Sequence, residues 1–478
     1  MSNRNKNLII NMIFFGLVTL VSKGISYILL PLFTNYMSTA DYGVADLLVS
    51  TVNMLYPLTA LGMGAAILRF TITENDDRKI VFSSALRIIC FTSLILLIFI
   101  PFIIKYGGVP AAYAWFIPLE MFFVNIVSIT VSLCKGINKT NLFLLQSVIK
   151  ACVLFFSAYI TLKFLNMGIM GYIISYLLAD AVSIICFVFS VHIDEYVTFH
   201  IEKDKWKIYR NKLIKYGAPL VPNSMSSWVV QMSDRYMVAY WYGPAVTGIY
   251  AVAYKIPSLV KVATSTFISA WQLNVISEAE KNDSNEYFNK VKNLYSAICF
   301  IMAGFIMIFI KALAKVLFSG DFYEAWRFVP LLVLASILDL LSEYLGTYFF
   351  AKDRTSQLFL STFLGAIINI ILNFSLIPSF GAWGATLATI MSTFVMYLHR
   401  GFDIRHSTGL NAFSIKEIVC ICLFGFLCVM YHISEIYGLV VACAVTIFVF
   451  VVFGKEVKIM YEFVLRVIHK EKDRGQSK

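Results

Sequence analysis

Twelve ionisable side chains stand inside runs that are otherwise apolar: Lys23, Arg87, Lys150, Arg235, Lys255 and Lys261, with Asp46, Glu120, Asp180, Asp234, Asp339 and Glu343. A charge at the centre of a membrane helix costs roughly 2.5 to 3.5 kcal/mol unless it faces a polar interior, so twelve predict a hydrated or paired region inside a helical bundle. Charges of this kind mark ion and substrate pathways, and a passive scaffold has no need of them. The plainer alternative is a set of interhelical ion pairs, Lys23 with Asp46 for instance, or lysines and arginines snorkelling to the membrane surface. Snorkelling does not serve Lys255 and Lys261, six residues apart in one run. At 1.5 Å per helical residue, Asp180, Asp339 and Lys255 fall nearest mid-membrane, and Lys23 and Arg235 nearer the outer side. Asp234 and Arg235 project about 100° apart on a helix and are not simply each other's partner.

Uncharged polar groups accompany these charges: Asn53, Asn125, Ser224, Ser227, Gln231, Gln272, Asn274, Asn369 and Asn373, with Trp228, Trp241 and Trp271 nearby. Amides and hydroxyls beside aromatic rings suit sugars, whose edges hydrogen-bond and whose faces stack. The same residue types also cement helix contacts in lipid and anchor helix ends at the interface.

The elements that must position these groups follow from composition. The chain has 478 residues, 59% hydrophobic and 14% charged, with a mean hydropathy of +0.77. This describes an all-α integral membrane protein, and continuous apolar runs such as Phe91 to Ile104 exclude the alternating pattern of a membrane barrel. About 14 transmembrane helices are expected, over 8–30, 42–66, 80–104, 112–134, 142–163, 168–191, 216–240, 246–275, 287–310, 327–350, 356–377, 382–399, 415–432 and 436–454. The seventh and eighth are unusually polar. Counting Lys163, Lys290, Lys292, Arg327 and Lys416 at the span edges with the loops they adjoin, 28 of the 39 Lys and Arg fall on the amino-terminal side and only 5 on the opposite side, which predicts both termini in the cytoplasm. The opposite loops are short, leaving little room for an external catalytic domain.

The longest polar interruption, 192–215, follows the sixth span and suggests an internal duplication: an N-lobe over 1–191, a cytoplasmic linker, and a C-lobe over 216–399. Helices 13 and 14 occupy 400–454, and a basic tail over 455–478 is expected to lie on the anionic inner leaflet. An even number of spans separates the halves, so the pseudo-two-fold axis would run along the membrane normal. Direct support is slight: ADYGVADLL, from Ala40, and VTGIYAVAY, from Val246, share a polar, aromatic and glycine character.

Several functions are disfavoured. The nine cysteines form no C-x-x-C pair and sit in or beside apolar runs. No phosphate-binding G-x-x-x-x-G-K-[ST], H-E-x-x-H or G-x-S-x-G occurs, and the six histidines are scattered, so neither an enzyme nor a metal site is expected. The net charge of +11 reflects the positive loops rather than nucleic-acid binding, because no basic stripe alternates with stacking aromatics. The start, with Arg4 and Lys6 before an apolar run, reads as an uncleaved first span.

SKGISYILLPLFTNYMSTADYGVADLL from Ser22, LTALGMGAAILRF ending at Phe70, the segment from Ala218 to Ile256 and the later GAWGATLAT carry a resemblance. Together they resemble the polysaccharide flippases of the multidrug/oligosaccharidyl-lipid/polysaccharide exporter superfamily, in the O-antigen (Wzx-like) branch. The resemblance implies two pseudo-symmetric six-helix lobes around a central cavity, plus two C-terminal helices. It also implies ion-driven movement of undecaprenyl-diphosphate-linked oligosaccharide from the inner to the outer leaflet of the cytoplasmic membrane. Lys23, Arg69, Arg87, Lys150, Arg235, Lys255 and Lys261 would then form the diphosphate path, and Asp180, Asp339 or Glu343 would carry the coupling H⁺ or Na⁺. No cofactor is expected. Partners would be membrane lipids and polysaccharide polymerase and chain-length machinery, with no nucleic acid. An exporter trading a cationic drug for H⁺ or Na⁺ is the alternative, opposed by the six interior cations; a membrane scaffold for glycan assembly is a third.

Overall fold

In the computed structural model, residues 24–462 are described apart from 26, 74–76, 107–109, 138, 192–194, 199, 279–283, 353 and 409–411. The described chain is helical almost throughout. Apolar side chains alone do not dictate this: in hydrocarbon every backbone N–H and C=O must be satisfied within its own segment, which an α-helix achieves. Nine described helices are long and apolar enough to cross a membrane, and ten if a bent pair counts as one span. The nine coincide with expected spans three to six, nine to eleven, thirteen and fourteen. Expected span two is the bent pair, and span one lies mostly outside the described residues. Spans seven, eight and twelve are helical, but their polar side chains leave them short of the apolar character of the nine.

The chain divides into two compact units. Unit 1 comprises Met1–Val252, Lys315–Glu324 and Ala366–Ala385. A helical stretch over 27–36 (α1) leads into α2 (Thr39–Ala60), whose start is set by Ser38, its hydroxyl oxygen accepting the Asp41 amide at 3.0 Å. α2 ends where Leu61 and Gly62 adopt positive φ, and the chain bends by 46° into α3 (Met63–Thr73). Then come α4 (Arg78–Tyr106), α5 (Phe116–Gly136), α6 (Thr140–Tyr159) and α7 (Gly168–Val191). A π-helical turn, Ile160–Phe164, and positive φ at Asn166 and Gly168 reverse the chain between α6 and α7, which pack along each other. The expected linker contains a 15-residue helix, α8 (Lys203–Gly217), amphipathic in detail: Tyr209 and Leu213 are buried against α3, α4 and α5, and Lys203, Lys205 and Lys207 face outward. α9 (Val221–Ala253) is two helices that meet at a kink at Gly243, where φ is 81°, the second resuming at Pro244.

One contact in unit 1 is reciprocal. A Cβ placed on Gly43 would lie 1.9 Å from the carbonyl oxygen of Pro244, four residues before Gly248, and one placed on Gly248 would lie 2.0 Å from that of Thr39, four residues before Gly43. The start of α2 and the segment after Gly243 therefore meet backbone to backbone, an approach only glycine permits.

Unit 2 comprises Ala253–Ala314, Ala325–Gly365 and Thr386–Lys478. It holds α10 (Lys255–Glu278), most of α11 (Ser284–Leu317), α12 (Val329–Ala351), the first part of α13 (Thr355–Phe380), most of α14 (Ala382–Thr408), and the hairpin of α15 (Ile415–Ile433) and α16 (Glu435–Val452). Its centre is aromatic: Trp271, Phe288, Tyr295 and Tyr344 pack together with ring centroids 4.9 to 6.0 Å apart, burying apolar area while Trp271 donates to Thr347 and Tyr344 to the Phe288 carbonyl. Helix 454–462 carries the start of the basic tail.

Candidate functional site

The buried charges of unit 1 form two groups. In the first, Arg235 of α9 is 7% exposed and Asp46 of α2 also 7%; Arg235 Nη1 donates to both carboxylate oxygens at 2.9 and 2.7 Å, and Ser50 Oγ lies 3.4 Å away. Two neighbours fasten the same helices, Trp228 Nε1 donating to the Ser50 carbonyl at 3.2 Å and the Tyr236 hydroxyl pairing with Thr51 at 2.6 Å. Asp46 is thus engaged by Arg235; Lys23, the partner expected for it from the sequence, lies outside the described residues. A planar guanidinium suits this role: it reaches across a helix interface and binds two oxygens, which a lysine point charge does less well. Asp234 points elsewhere, as its helical position requires, accepting the Tyr250 hydroxyl at 2.6 Å and the Arg235 amide at 2.9 Å. Beside it Asn369 Oδ1 accepts from Ser233 at 3.0 Å and Asn373 at 2.9 Å.

The second group joins three helices. Lys150 of α6 forms an ion pair with Asp180 of α7, and Asp180 lies within hydrogen-bonding reach of Glu120 on α5. Asp180 is fully buried, Glu120 is 4% exposed, and the Lys150 side chain keeps a third of its surface.

Arg69 and Arg87 sit elsewhere, both against α8. The Arg69 guanidinium lies 4.8 Å from the Tyr216 ring centre and that of Arg87 5.6 Å from Trp206, with Lys212 over Phe70 at 4.9 Å. These cation–π contacts join a helix rich in lysine to the apolar cluster beneath it. Burial, and then the hydrogen bond donated to Asp77, push the Tyr209 phenol of α8 up to about 12, so it stays a neutral donor across ordinary pH.

In unit 2, Lys261 of α10 pairs with Asp339 of α12 at 3.0 Å, and Glu343 follows one turn later on α12, half-buried. Lys255, at the start of α10, is also half-buried. Two buried cations that sequence reasoning does not single out belong here. Arg400 of α14, 5% exposed, donates to Ser361 Oγ, Thr362 Oγ1 and the Ser342 carbonyl at 2.8 to 3.0 Å. Lys292 of α11 donates to Glu417 at 3.2 Å, while Glu417 also accepts from Ser296 and Tyr397. The signal for Glu417 was in the sequence: Ser414, three residues before it, opens α15 as a capping pattern, and the Ser414 amide donates to Glu417 at 3.4 Å. This network holds α11, α14 and α15 together. Lys292→Met would leave Glu417 buried without its cation and is expected to cost about 3 to 5 kcal/mol. The check is thermal unfolding in detergent, where an unchanged midpoint would refute a structural role.

The predicted cations and acids are therefore not two separate sets. Asp180 is the counter-ion of Lys150 and Asp339 that of Lys261, while Arg69 and Arg87 serve the α8 contact. The polar residues read as suited to sugar also divide. Asn125 donates to Thr59 at 3.0 Å, and buried Trp271 donates to Thr347 at 3.0 Å and stacks on Tyr344, so both are committed to packing. Asn53 and Ser224, and also Gln231 and Gln272, are exposed. A cavity of about 630 Å³ in unit 1 is lined by Met54, Leu55, Leu58, Ile95, Leu96 and Phe99 with a few hydroxyls, and such a lining does not suit a hydrated glycan.

Comparison with known proteins fits this arrangement. A curated flippase, the probable low-salt glycan biosynthesis flippase Agl15 of Haloferax volcanii, is 23% identical over 199 residues, 41% of this chain and 42% of that protein. The chain thus spans about two fifths of the length of the curated relative it matches. Among solved structures, the lipid II flippase MurJ in an inward closed conformation superposes with a TM-score of 0.71 at 16% identity, covering 95% of this chain and 100% of that one. An inward-facing multidrug resistance MATE family transporter of the MOP superfamily gives 0.63 at 14% identity over 82% and 95%. These likenesses establish the fold of a multi-pass integral membrane protein, and the matched proteins bear the names of transporters and flippases rather than enzymes. A family model described as polysaccharide biosynthesis protein matches residues 8–272, more than half of the sequence, and the chain belongs to that family.

Proposed function

We propose that the protein is a flippase that carries undecaprenyl-diphosphate-linked oligosaccharide from the inner to the outer leaflet of the cytoplasmic membrane by ion-coupled alternating access. The observation that carries this reading is the Asp46–Arg235 pair, a guanidinium buried between α2 and α9 and held by a carboxylate. A phosphate oxygen can replace that carboxylate in kind, because arginine binds both with the same donors. A diphosphodiester carries about two negative charges that hydrocarbon does not accept, and fixed cations offset their desolvation. Lys23, Arg69, Arg87, Lys150, Lys255 and Lys261 are the further cations of the path, and Asp180, Asp339 and Glu343 carry the coupling H⁺ or Na⁺. Exposed Asn53, Ser224 and Gln231 supply groups for the sugars, while the prenyl chain remains in lipid.

This reading takes the chain as 14 spans with both termini cytoplasmic, in two six-helix lobes over 1–191 and 216–399 and a final pair over 400–454. Polysaccharide polymerase and chain-length machinery would act on the delivered units. The test is the leaflet distribution of lipid-linked oligosaccharide in cells depleted of the protein. Repeat units held in the cytoplasmic leaflet are expected; undisturbed delivery, in a strain without a second flippase, would overturn the reading.

A further inference from the structure

Glu120, Lys150 and Asp180 come from three consecutive helices and meet in the interior of unit 1 as two acids and one base. With both carboxyls ionised the cluster carries one uncompensated negative charge, which is costly in a low-dielectric interior. Hydrogen bonding reports the same imbalance. Glu120 Oε2 and both Asp180 oxygens are buried, and apart from the Lys150 ammonium beside Asp180 no donor among the described residues reaches these three acceptors. By contrast Asp46, Asp339 and Glu417 each receive a hydrogen bond from a cation. One proton on Glu120 supplies the missing donor, its O–H pointing at Asp180, and brings the cluster to neutrality. Loss of that proton returns two carboxylates and an ammonium, so one H⁺ and one unit of charge leave together. The Lys150 side chain keeps a third of its surface exposed.

From this cluster a file of phenols leads toward the Asp46–Arg235 pair. Tyr176, one turn before Asp180 on α7, lies within electrostatic reach of Glu120, Asp180 and Asp46. The Tyr172 hydroxyl donates to Tyr176 at 3.3 Å, and the Tyr172 ring meets that of Tyr42 on α2 at 6.4 Å between centroids. Tyr42 lies within electrostatic reach of both Asp46 and Arg235. Among the described residues, the charged and titratable groups acting on the cluster are Lys150 on α6, Tyr176 on α7 and, through the phenols, Tyr42 and Asp46 on α2 with Arg235 on α9.

We propose that the Glu120–Asp180 carboxyl pair, held beside Lys150, is a proton-binding site whose occupancy is felt electrostatically at the Asp46–Arg235 pair. A metal cation is a poorer occupant, because the ammonium already fills the cation position and two carboxyls offer few further oxygens. Use of the proton to drive transport rests on the flippase reading, whereas the binding of the proton does not.

The test uses the full-length protein in lipid nanodiscs and infrared difference spectroscopy. A protonated carboxylic-acid carbonyl band is expected at neutral pH, lost in Glu120→Gln and, should that variant not fold, in Asp180→Asn. Asp46→Asn leaves more positive charge nearby and is expected to move the band's titration to lower pH; Arg235→Met is expected to move it to higher pH. No band, or a band untouched by both amide variants, would overturn the site. A band that titrates alike in Asp46→Asn and Arg235→Met would overturn its coupling to the pair. In vesicles that flip substrate, Glu120→Gln is expected to keep passive equilibration and lose the response to a pH gradient. A retained response would overturn the coupling role alone, and absence of flipping in the parent protein would count against the flippase reading while leaving the spectroscopic result standing.

Discussion

Arg235→Met is expected to abolish flipping and to destabilise the protein by about 3 to 5 kcal/mol, because Asp46 is then left buried without its cation. The second effect is separable from the first. In the double variant Asp46→Leu with Arg235→Met both charges leave together, and replacing a buried ion pair by apolar groups of similar size is commonly neutral or stabilising. The double variant is therefore expected to regain most of the lost stability and none of the transport. Thermal unfolding in detergent and leaflet transfer in proteoliposomes measure the two properties independently. A double variant that is stable and still flips its substrate would show that the pair only ties α2 to α9, and the phosphate role of Arg235 would have to be abandoned.

Much of this arrangement is legible in the sequence because burying a charge in a bilayer is so costly that each one stands out against its apolar run. Residue type and depth alone select Arg235, Lys150, Lys261, Asp46, Asp180 and Asp339, and all six appear in buried or half-buried ion pairs. What the sequence does not carry is partner choice. Asp46 pairs with Arg235, 189 residues away, a partner that proximity along the chain does not indicate. Such pairings depend on which helices adjoin, and the 3.6-residue period of a uniformly apolar helix leaves that nearly unspecified. The helical part of the 192–215 interruption was hidden for a different reason: α8 buries only Tyr209, Leu213 and Gly217 among many lysines, too narrow a stripe for hydropathy to register. Lys292 and Arg400 escape notice because they stand near the ends of the expected spans 287–310 and 382–399, where a buried cation and a snorkelling one look alike in sequence. Arg69 and Arg87 show the converse, their cationic character being used against aromatic rings of α8.

The faint likeness between ADYGVADLL and VTGIYAVAY acquires a physical basis in the reciprocal contact of Gly43 and Gly248. Each glycine faces the carbonyl four residues before the other, which is the relation a local two-fold axis between the two segments imposes. One segment begins the second expected span and the other begins the eighth, so the contact joins corresponding positions of the proposed duplication. Its energetics follow from the distances. A methyl at either position would stand 1.9 or 2.0 Å from a carbonyl oxygen, and the atom in the way is backbone, which cannot swing aside as a side chain does. Gly43→Ala and Gly248→Ala are each expected to cost at least the upper end of the roughly 1 to 3 kcal/mol of ordinary overpacking. Their effects are also expected to be alike in size and to fall short of additivity in the double variant, since the first methyl forces apart the two backbones that the second would have met. Gly24 and Gly425, where a Cβ meets nothing within 4 Å, serve as controls expected to tolerate alanine with little change. Unfolding midpoints of the two single variants, the double variant and the controls decide the matter. Simple addition of two unequal losses would mean that the glycines act separately, and that the resemblance between the two segments reflects composition rather than a shared contact.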